Sequence, residues 1–458
     1  MAQKAGMRWA GRGSGVLLCA ALLSCSAEPP APAKVALPAH YDGADWVMAQ
    51  ADASKPAGSW WQAWHDPVLD GLETRALRSN PTLAIASAQW DQARAEIDLA
   101  EAPWWPSISA SAQASRGQTA LGVGTSRGWG AQANWVPDLW GTIRWQVRQR
   151  KALAQAQQQL LAAAQLSLTA QVAQAYFALL AADQQQRLDS EMLAVNQKLL
   201  VMTQHQLDAG VVSTAALLLA QGNLAVSQQQ VAHDRWQEQQ LRHALTTLCG
   251  EAAGIETLTL PTRLPARLAV APGLPATLLQ RRPDVAAAER QVAAANAAVH
   301  VAELAWFPVL SLGANFSSSQ LGYLRATPYR TWSIGPSLAQ TLFAGGLRRA
   351  ELAIARASYR QTAEQYRATI LQAIQEAQDD WVAVQGLRQQ EAAAQISLRT
   401  AQQTLQLTQH QYDAGTVAAA NVLQARSNWL AQELLWRQLQ AQDLNAEALL
   451  VQALGGIW

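Results

Sequence analysis

The sequence predicts an α+β membrane protein made of one unit that occurs twice, with very long helices and four short strands per chain. Three observations predict this fold class. The same landmarks recur in the same order in both halves of the chain. Two long proline-free stretches carry apolar residues at helical spacing, and four shorter segments alternate apolar with small polar residues.

The composition limits the function classes. The chain has 458 residues, of which 50% are hydrophobic and 15% are charged, and its formal net charge is +1. This balance leaves no excess of cations for binding nucleic acid, and three cysteines exclude a disulfide framework. The apolar half is rich in alanine and contains 19 Trp but only 4 Phe. We therefore expect thin, closely packed helices with aromatic rings reserved for particular places.

The first residues have the pattern of an export signal. A basic segment precedes the short apolar run 16–23, which is too short to span a bilayer. The following Leu22-Leu23-Ser24-Cys25 resembles a lipobox, so we predict a lipoprotein signal peptide over 1–24 and lipidation of Cys25. The alternative is an ordinary cleavage site beside a cysteine. Ser26 resembles the pattern of outer-membrane lipoproteins, and the proline-rich segment 25–59 is predicted to be a tether.

An internal duplication organises the rest of the chain. The octapeptide Thr203–Gly210 recurs, with one substitution, as Thr408–Gly415, an offset of 408 − 203 = 205 residues. We predict a first repeat over 60–250, a linker over 251–275 and a second repeat over 276–458. The elements predicted in the two repeats are helices at about 82–102 and 283–305, hairpins at about 106–137 and 308–342, long helices at about 142–208 and 346–413, and final helices at about 213–249 and 418–453.

The long helices predict an elongated molecule. At 1.5 Å per residue, a helix of about 65 residues extends on the order of 100 Å. In the second repeat an apolar seam with an average spacing close to 3.5 residues is typical of a coiled coil. Its members are Tyr359, Ala363, Tyr366, Ile370, Ile374, Ala377, Trp381 and Val384. The helices alone would equally fit a coiled-coil envelope protein without a pore.

The alternating segments 107–115, 129–135, 310–317 and 332–342 favour a membrane barrel instead. They are predicted to form two hairpins whose loops cover about 116–127 and 318–330, with an apolar face and a small polar face. Six aromatic residues stand where strands meet helices, as expected of a girdle at a membrane interface, although core packing would explain any single ring. They are Trp104, Trp105, Trp140, Trp306, Phe307 and Phe343. Four strands cannot close a barrel, and three copies, unlike two, would leave room for a pore.

These features resemble the TolC-like outer-membrane efflux proteins, and within them the NodT-type lipoprotein branch that serves resistance-nodulation-division pumps. The resemblance covers about 60–456. It rests on the opening Trp60–Leu69, the helix starts at Asn80-Pro81 and Arg281–Asp284, the glycine turns at 210 and 415, and the ending Leu454-Gly455-Gly456. It implies a homotrimer with a twelve-stranded β-barrel in the outer membrane of a Gram-negative bacterium, continued by a periplasmic helical barrel. It also implies a passive duct that works with a periplasmic adaptor protein and an inner-membrane transporter. The exit duct of a peptide or protein secretion system is a related alternative.

The resemblance also places candidate site residues. The family docks its adaptor through the periplasmic helix tips, which here are Asp208, Gly210, Ser213, Asp413, Gly415 and Thr416. Ser213 is expected to cap the next helix, and a plain structural turn is the alternative. The acid that relatives commonly carry after each tip glycine is missing. Candidate acids for the aperture or lumen are therefore Asp379, Asp380 and Asp413, and a solvated helix face is equally compatible with the first two.

No enzyme motif is present. The chain lacks a nucleophile elbow, a zinc-protease motif and a phosphate loop, so we predict no catalytic residue, no metal site, no cofactor and no nucleic-acid partner. The energy for transport would have to come from a partner, and the pump would select the transported substrate.

Overall fold

The computed structural model describes residues 59–119, 122–253, 258–268, 282–321 and 328–456. The predicted lipidation site Cys25 and most of its tether lie outside the described residues.

The same order of elements occurs twice along the chain. In each half, a helix is followed by a β-hairpin, a helix of 67 residues and a helix of 35 residues. One further helix, α1, precedes the first half. The predicted helices all occur, with bounds that differ by at most one residue. The elements are α1 (Pro67–Ser79), α2 (Pro81–Glu101), β1 (Ser107–Thr119), β2 (Gly122–Trp135), α3 (Thr142–Asp208), α4 (Thr214–Leu248), α5 (Pro283–Leu304), β3 (Val309–Leu321), β4 (Tyr329–Ala339), α6 (Leu347–Asp413) and α7 (Ala419–Ala453).

Corresponding side chains tie each unit together. Asn80 caps α2 by accepting from two backbone N–H groups, and its amide donates to the carbonyl of Leu248 at the end of α4 (2.8 Å). At the corresponding start of α5, the Arg282 guanidinium donates to the carbonyl of Ala453 at the end of α7 (3.1 Å). In both halves the side chain before the helix proline therefore holds the end of the last helix in that unit.

The four strands form one antiparallel sheet in the order β1-β2-β3-β4. The predicted loops at 116–127 and 318–330 are wrong, because the strands continue to Thr119 and Leu321 and resume at Gly122 and Tyr329. These outer strand ends are rich in Gly, Ser and Thr, so they pair through the backbone without an apolar alternation that the sequence could reveal. The last strand ends at Ala339, which leaves the predicted strand residue Leu342 outside it.

Other tryptophans, outside the six predicted junction aromatics, lie in a core. Trp60, Trp61 and Trp64 form a short turn that is buried against the middle of α3. The ring of Trp64 packs edge-on against Phe177 with centroids 4.9 Å apart, and the Trp60 indole donates to Thr169 (3.1 Å). The motif Trp60–Trp64 thus packs against a long helix and buries aromatic area there.

The predicted seam of α6 is confirmed. Ile370, Ala377 and Val384 are buried, and the other seam residues are half-buried. Alanine at such positions lets the α6 and α7 backbones approach closely.

The described part of the linker is fixed to these same helices. Arg267 forms ion pairs with Glu391 of α6 and Asp443 of α7, and the backbone N–H of Leu268 donates to Glu447 (3.0 Å).

No helix of the described ranges is both long and apolar enough to cross a membrane.

Candidate functional site: sheet faces and helix tips

The register of the sheet separates two chemically different faces. Cross-strand partners share a face, so Ala112 lies beside Trp129, and Phe316 lies beside Trp332. We call this the apolar face. The opposite, polar face has no charged side chain on the described strands. Its members include Ser109, Ser111, Gln113, Ser115, Gln132, Asn134, Ser311, Asn315, Ser317, Thr331, Ser333 and Ser337.

Such alternation is the pattern of a barrel strand that meets lipid on one side and an aqueous lumen on the other. Within one protomer β1 and β4 each keep an unpaired edge. Unpaired backbone groups are costly in lipid, so the sheet closes only by pairing β1 with the β4 of another copy.

The six predicted girdle aromatics all lie between a strand and a helix. Trp105 and Phe343 are strongly exposed in the protomer, at 76% and 88%. Trp140 stacks on Phe307 (5.0 Å between centroids) and donates its indole N–H to the carbonyl of Pro308 (2.6 Å). This contact joins the end of the first hairpin to the start of the second.

The structure also places aromatic residues at the opposite end of the apolar face, which the sequence reasoning did not identify as a group. Trp129 packs against Phe316 (5.2 Å), and Phe316 is the cross-strand partner of Trp332. Aligning the two predicted hairpins as neighbouring antiparallel strands would have predicted that these rings lie together. Leu310 lies at the helix end of β3, and these rings are about six to eight residues further along the strands, a distance of about 20–27 Å.

The two helix tips have matching backbone geometry. Gly210 and Gly415 both have a left-handed φ of 72°. At each tip two backbone hydrogen bonds close the helix end. At the first tip, Val211 N–H donates to Gln206 O (2.8 Å) and Gly210 N–H donates to Leu207 O (2.9 Å). At the second tip, Thr416 N–H donates to Gln411 O (2.9 Å) and Gly415 N–H donates to Tyr412 O (2.8 Å).

The side chains at the tips are exposed, including all six predicted docking residues. Asp208 and Asp413 accept hydrogen bonds from Gln204 and Gln409, one turn earlier (both 2.9 Å). The expected Ser213 cap is wrong: its side chain makes no capping bond, and only its backbone carbonyl accepts, from Ala216 (3.0 Å).

An apolar groove lies close to these tips. Val201 and Met202 of α3 line it together with Tyr412 of α6 and Val422 and Leu423 of α7. Further apolar side chains beside the tips are exposed. They are Val211, Leu218, Leu219 and Leu407.

The candidate aperture acids lie at two separate levels. Asp379 and Asp380 precede Asp413 by more than thirty residues on α6, or about 50 Å along the helix, so these acids cannot form one ring. Asp379 is exposed and Asp380 is half-buried. Burial, with Glu376 and Asp379 nearby, raises the pKa of Asp380 to about 6, although Arg282 opposes the shift.

Within the described ranges, no three metal-ligating side chains of His, Cys, Asp or Glu come together.

The comparisons with known proteins agree on one family. The sequence profile of the outer membrane efflux protein family matches residues 72–251 and 274–456. The pyoverdine export outer membrane protein OpmQ of Pseudomonas putida is 32% identical over 96% of both chains. The toluene efflux pump outer membrane protein TtgC of Pseudomonas putida is 30% identical over 89% of this chain and 87% of its own. A crystal structure of CusC, described as forming a transmembrane channel, matches with a TM-score of 0.77 at 26% identity, covering 92% of this chain and 99% of that one.

Proposed function

Because the chain belongs to the outer membrane efflux protein family, we propose that it is the passive exit duct of a tripartite efflux pump. The chain is an outer-membrane efflux component, with four strands in a homotrimeric twelve-stranded barrel and long helices that reach into the periplasm. The observation that carries the proposal is the uncharged polar face of a sheet that is open at both edges. Such a face would line a water-filled passage for compounds of many kinds.

The proposed partners are a periplasmic adaptor protein and an inner-membrane transporter that supplies the energy. The exposed tips around Gly210 and Gly415, with the apolar groove beside them, support adaptor docking at this end. Asp208 and Asp413 are the acids nearest the proposed aperture. No chemical step is assigned to the chain itself.

The proposed cargo is small and toxic, and the transporter selects it. The relatives are named for cargoes as different as pyoverdine and toluene, which supports a duct that does not itself discriminate.

An export assay tests the main proposal. In a host deprived of its own duct, co-expression of this chain with its transporter and adaptor should restore resistance to the pump's compounds. Transporter and adaptor without this chain are the control. Equal resistance with and without the chain would refute the proposal.

Site-directed cross-linking tests the docking surface. Cys249 is buried, and burial raises the pKa of its thiol to about 11, so introduced cysteines would react selectively. S213C and T416C should cross-link to the adaptor, whereas S358C, exposed on α6 far from the tips, should not. Equal cross-linking at all three positions would contradict tip docking.

The anchor is also proposed, on the lipobox around Cys25. C25S should abolish incorporation of labelled palmitate, and unchanged incorporation would refute the anchor.

A further inference from the structure

The hairpin segments carry an unbalanced positive charge. Over 106–137 and 308–342 the sequence contains four arginines but no Asp, Glu or Lys. Three of these arginines, Arg116, Arg127 and Arg330, lie on described strands and are exposed in the protomer. The fourth, Arg325, lies outside the described residues. No acid of the hairpins can therefore neutralise these guanidinium groups.

The cross-strand register places all three on the apolar face. Arg127 pairs with Ala114, two residues beyond the pair Ala112–Trp129, and side chains two residues apart share a face. Arg330 is likewise two residues beyond Trp332. Arg116 follows Ala114 by the same spacing. All three therefore point away from the polar face that lines the lumen.

Their level along the strands is equally specific. Arg330 and Arg127 each lie about 7 Å along the strand beyond a tryptophan, on the side away from the helices. Arg116 and Arg127 are diagonal neighbours on adjacent strands, with a separation of about 7–8 Å. The helices extend into the periplasm, so the arginines lie at the outer end of the apolar band, where hydrocarbon gives way to lipid headgroups.

An arginine at this depth needs an anionic partner. A guanidinium offers a planar set of donors that matches phosphate bidentately, and the arrangement is strong where water is scarce. Because the hairpins provide no carboxylate, the phosphate of a lipid headgroup is the anionic group on the lipid side that matches these donors.

We propose that Arg116, Arg127 and Arg330 form a binding site on the outside of the barrel for the phosphate groups of an outer-leaflet glycolipid. With three arginines per chain, the trimer presents nine around its circumference. The site rests on the orientation of the barrel in the outer membrane and not on which compounds the duct carries.

Lipid binding to the purified trimer tests the site. Diphosphoryl lipid A is titrated into the trimer in neutral detergent, with lipid A stripped of its phosphates in parallel, and bound lipid is counted by native mass spectrometry. We expect retention of the phosphorylated lipid only, with at least tenfold weaker binding to R116Q/R127Q/R330Q. The matched control R235Q/R360Q/R399Q removes the same charge from exposed helix positions and should bind as the wild type does.

Two further measurements keep the proposal falsifiable if the triple variant does not assemble. Binding to the wild-type trimer should weaken as NaCl rises, because charge pairing at a surface is screened. R116K/R127K/R330K should keep part of the affinity. Equal binding of both lipids, or binding by the Gln variant within twofold of the wild type, would overturn the proposal. So would altered anion selectivity of the channel with unchanged lipid binding, because that would place the arginines in the lumen.

Discussion

Two buried carboxyl groups face each other across the helical hairpin α3–α4, and their removal should change how stability depends on pH. Asp189 of α3 is 9% exposed and Asp234 of α4 is 1% exposed. Gln185 and Gln230 both donate to one oxygen of Asp234 (3.2 and 3.0 Å). Two charged residues close to Asp189 in the sequence, Arg187 and Glu191, already form ion pairs with Asp183 and Arg426.

Burial, together with the hydrogen bond to Asp234 and its charge, raises the pKa of Asp189 to about 7 from an ordinary 3.8, although Gln185 opposes the shift. The folded protein then binds more protons than the unfolded chain between these values, so stability falls as pH rises from about 4 to about 7. At 1.36 kcal/mol per pH unit, a difference of about three units is worth at most about 4 kcal/mol.

D189N replaces the carboxyl by a neutral amide that can still donate to Asp234. At pH 8.5 the variant should therefore be more stable than the wild type by up to about 4 kcal/mol, and at pH 4 the two should be equal. For 458 residues this corresponds to about 4 °C in the thermal midpoint, from about 2 cal/mol/K of unfolding entropy per residue.

The assay is the thermal midpoint by circular dichroism, from pH 4 to pH 8.5. The second repeat shows which uncharged residues fit these two positions. At an offset of 205 residues, Ala394 corresponds to Asp189 and Leu439 corresponds to Asp234. The double variant D189A/D234L should accordingly lose the part of the pH dependence that Asp189 contributes, and D98N on the exposed side of α2 should keep it. A midpoint for D189N that is equal to or below that of the wild type at pH 8.5 would show that Asp189 does not carry a raised pKa.

Two other predictions concern the backbone and a buried ion cluster. Gly250 and Gly415 have nearly the same positive φ (71° and 72°), but a Cβ at Gly250 would meet the carbonyl of Ser79 at 2.2 Å, whereas a Cβ at Gly415 would meet nothing. G415A should cost only about 1–2 kcal/mol, and G250A should lower the midpoint by several degrees more; equal effects would contradict the close approach. R388A removes the cation that pairs with the buried Glu447 (2.8 Å), so it should cost about 3–5 kcal/mol, or about 3–5 °C, and R360A, on an exposed side chain, should cost less than 1 °C. An R388A midpoint within 1 °C of the wild type would show that the cluster is not needed for stability.

The long helices could be predicted because their information is periodic and local. The seam that includes Ile370, Ala377 and Val384 repeats along much of α6, and Gly415 follows that helix in a conformation that favours glycine. The strand ends could not be predicted in the same way. Gly, Ser and Thr between 116 and 127 provide no apolar alternation, and what holds them is backbone pairing with a neighbouring strand.

The acid pair was missed for a different reason. Asp189 and Asp234 each look like ordinary surface residues of a Gln-rich helix. They meet because the chain reverses at Gly210–Val211, almost midway between them, and Asn196 meets Ser227 (2.6 Å) by the same reversal. Folding the predicted helices back on this turn would have revealed both pairs. The distance of Asp379 and Asp380 from the tip of α6 could likewise be predicted from their position in the helix alone, without any tertiary contact.

Four strands per chain make a pore only when three chains close the sheet. Planar-bilayer recording from the purified protein, with its mass determined in the same detergent, tests this most directly. We expect a trimer that inserts as discrete conductance steps, and we expect D413N to alter its gating. A monomer, or a trimer that inserts without conductance, would contradict the account.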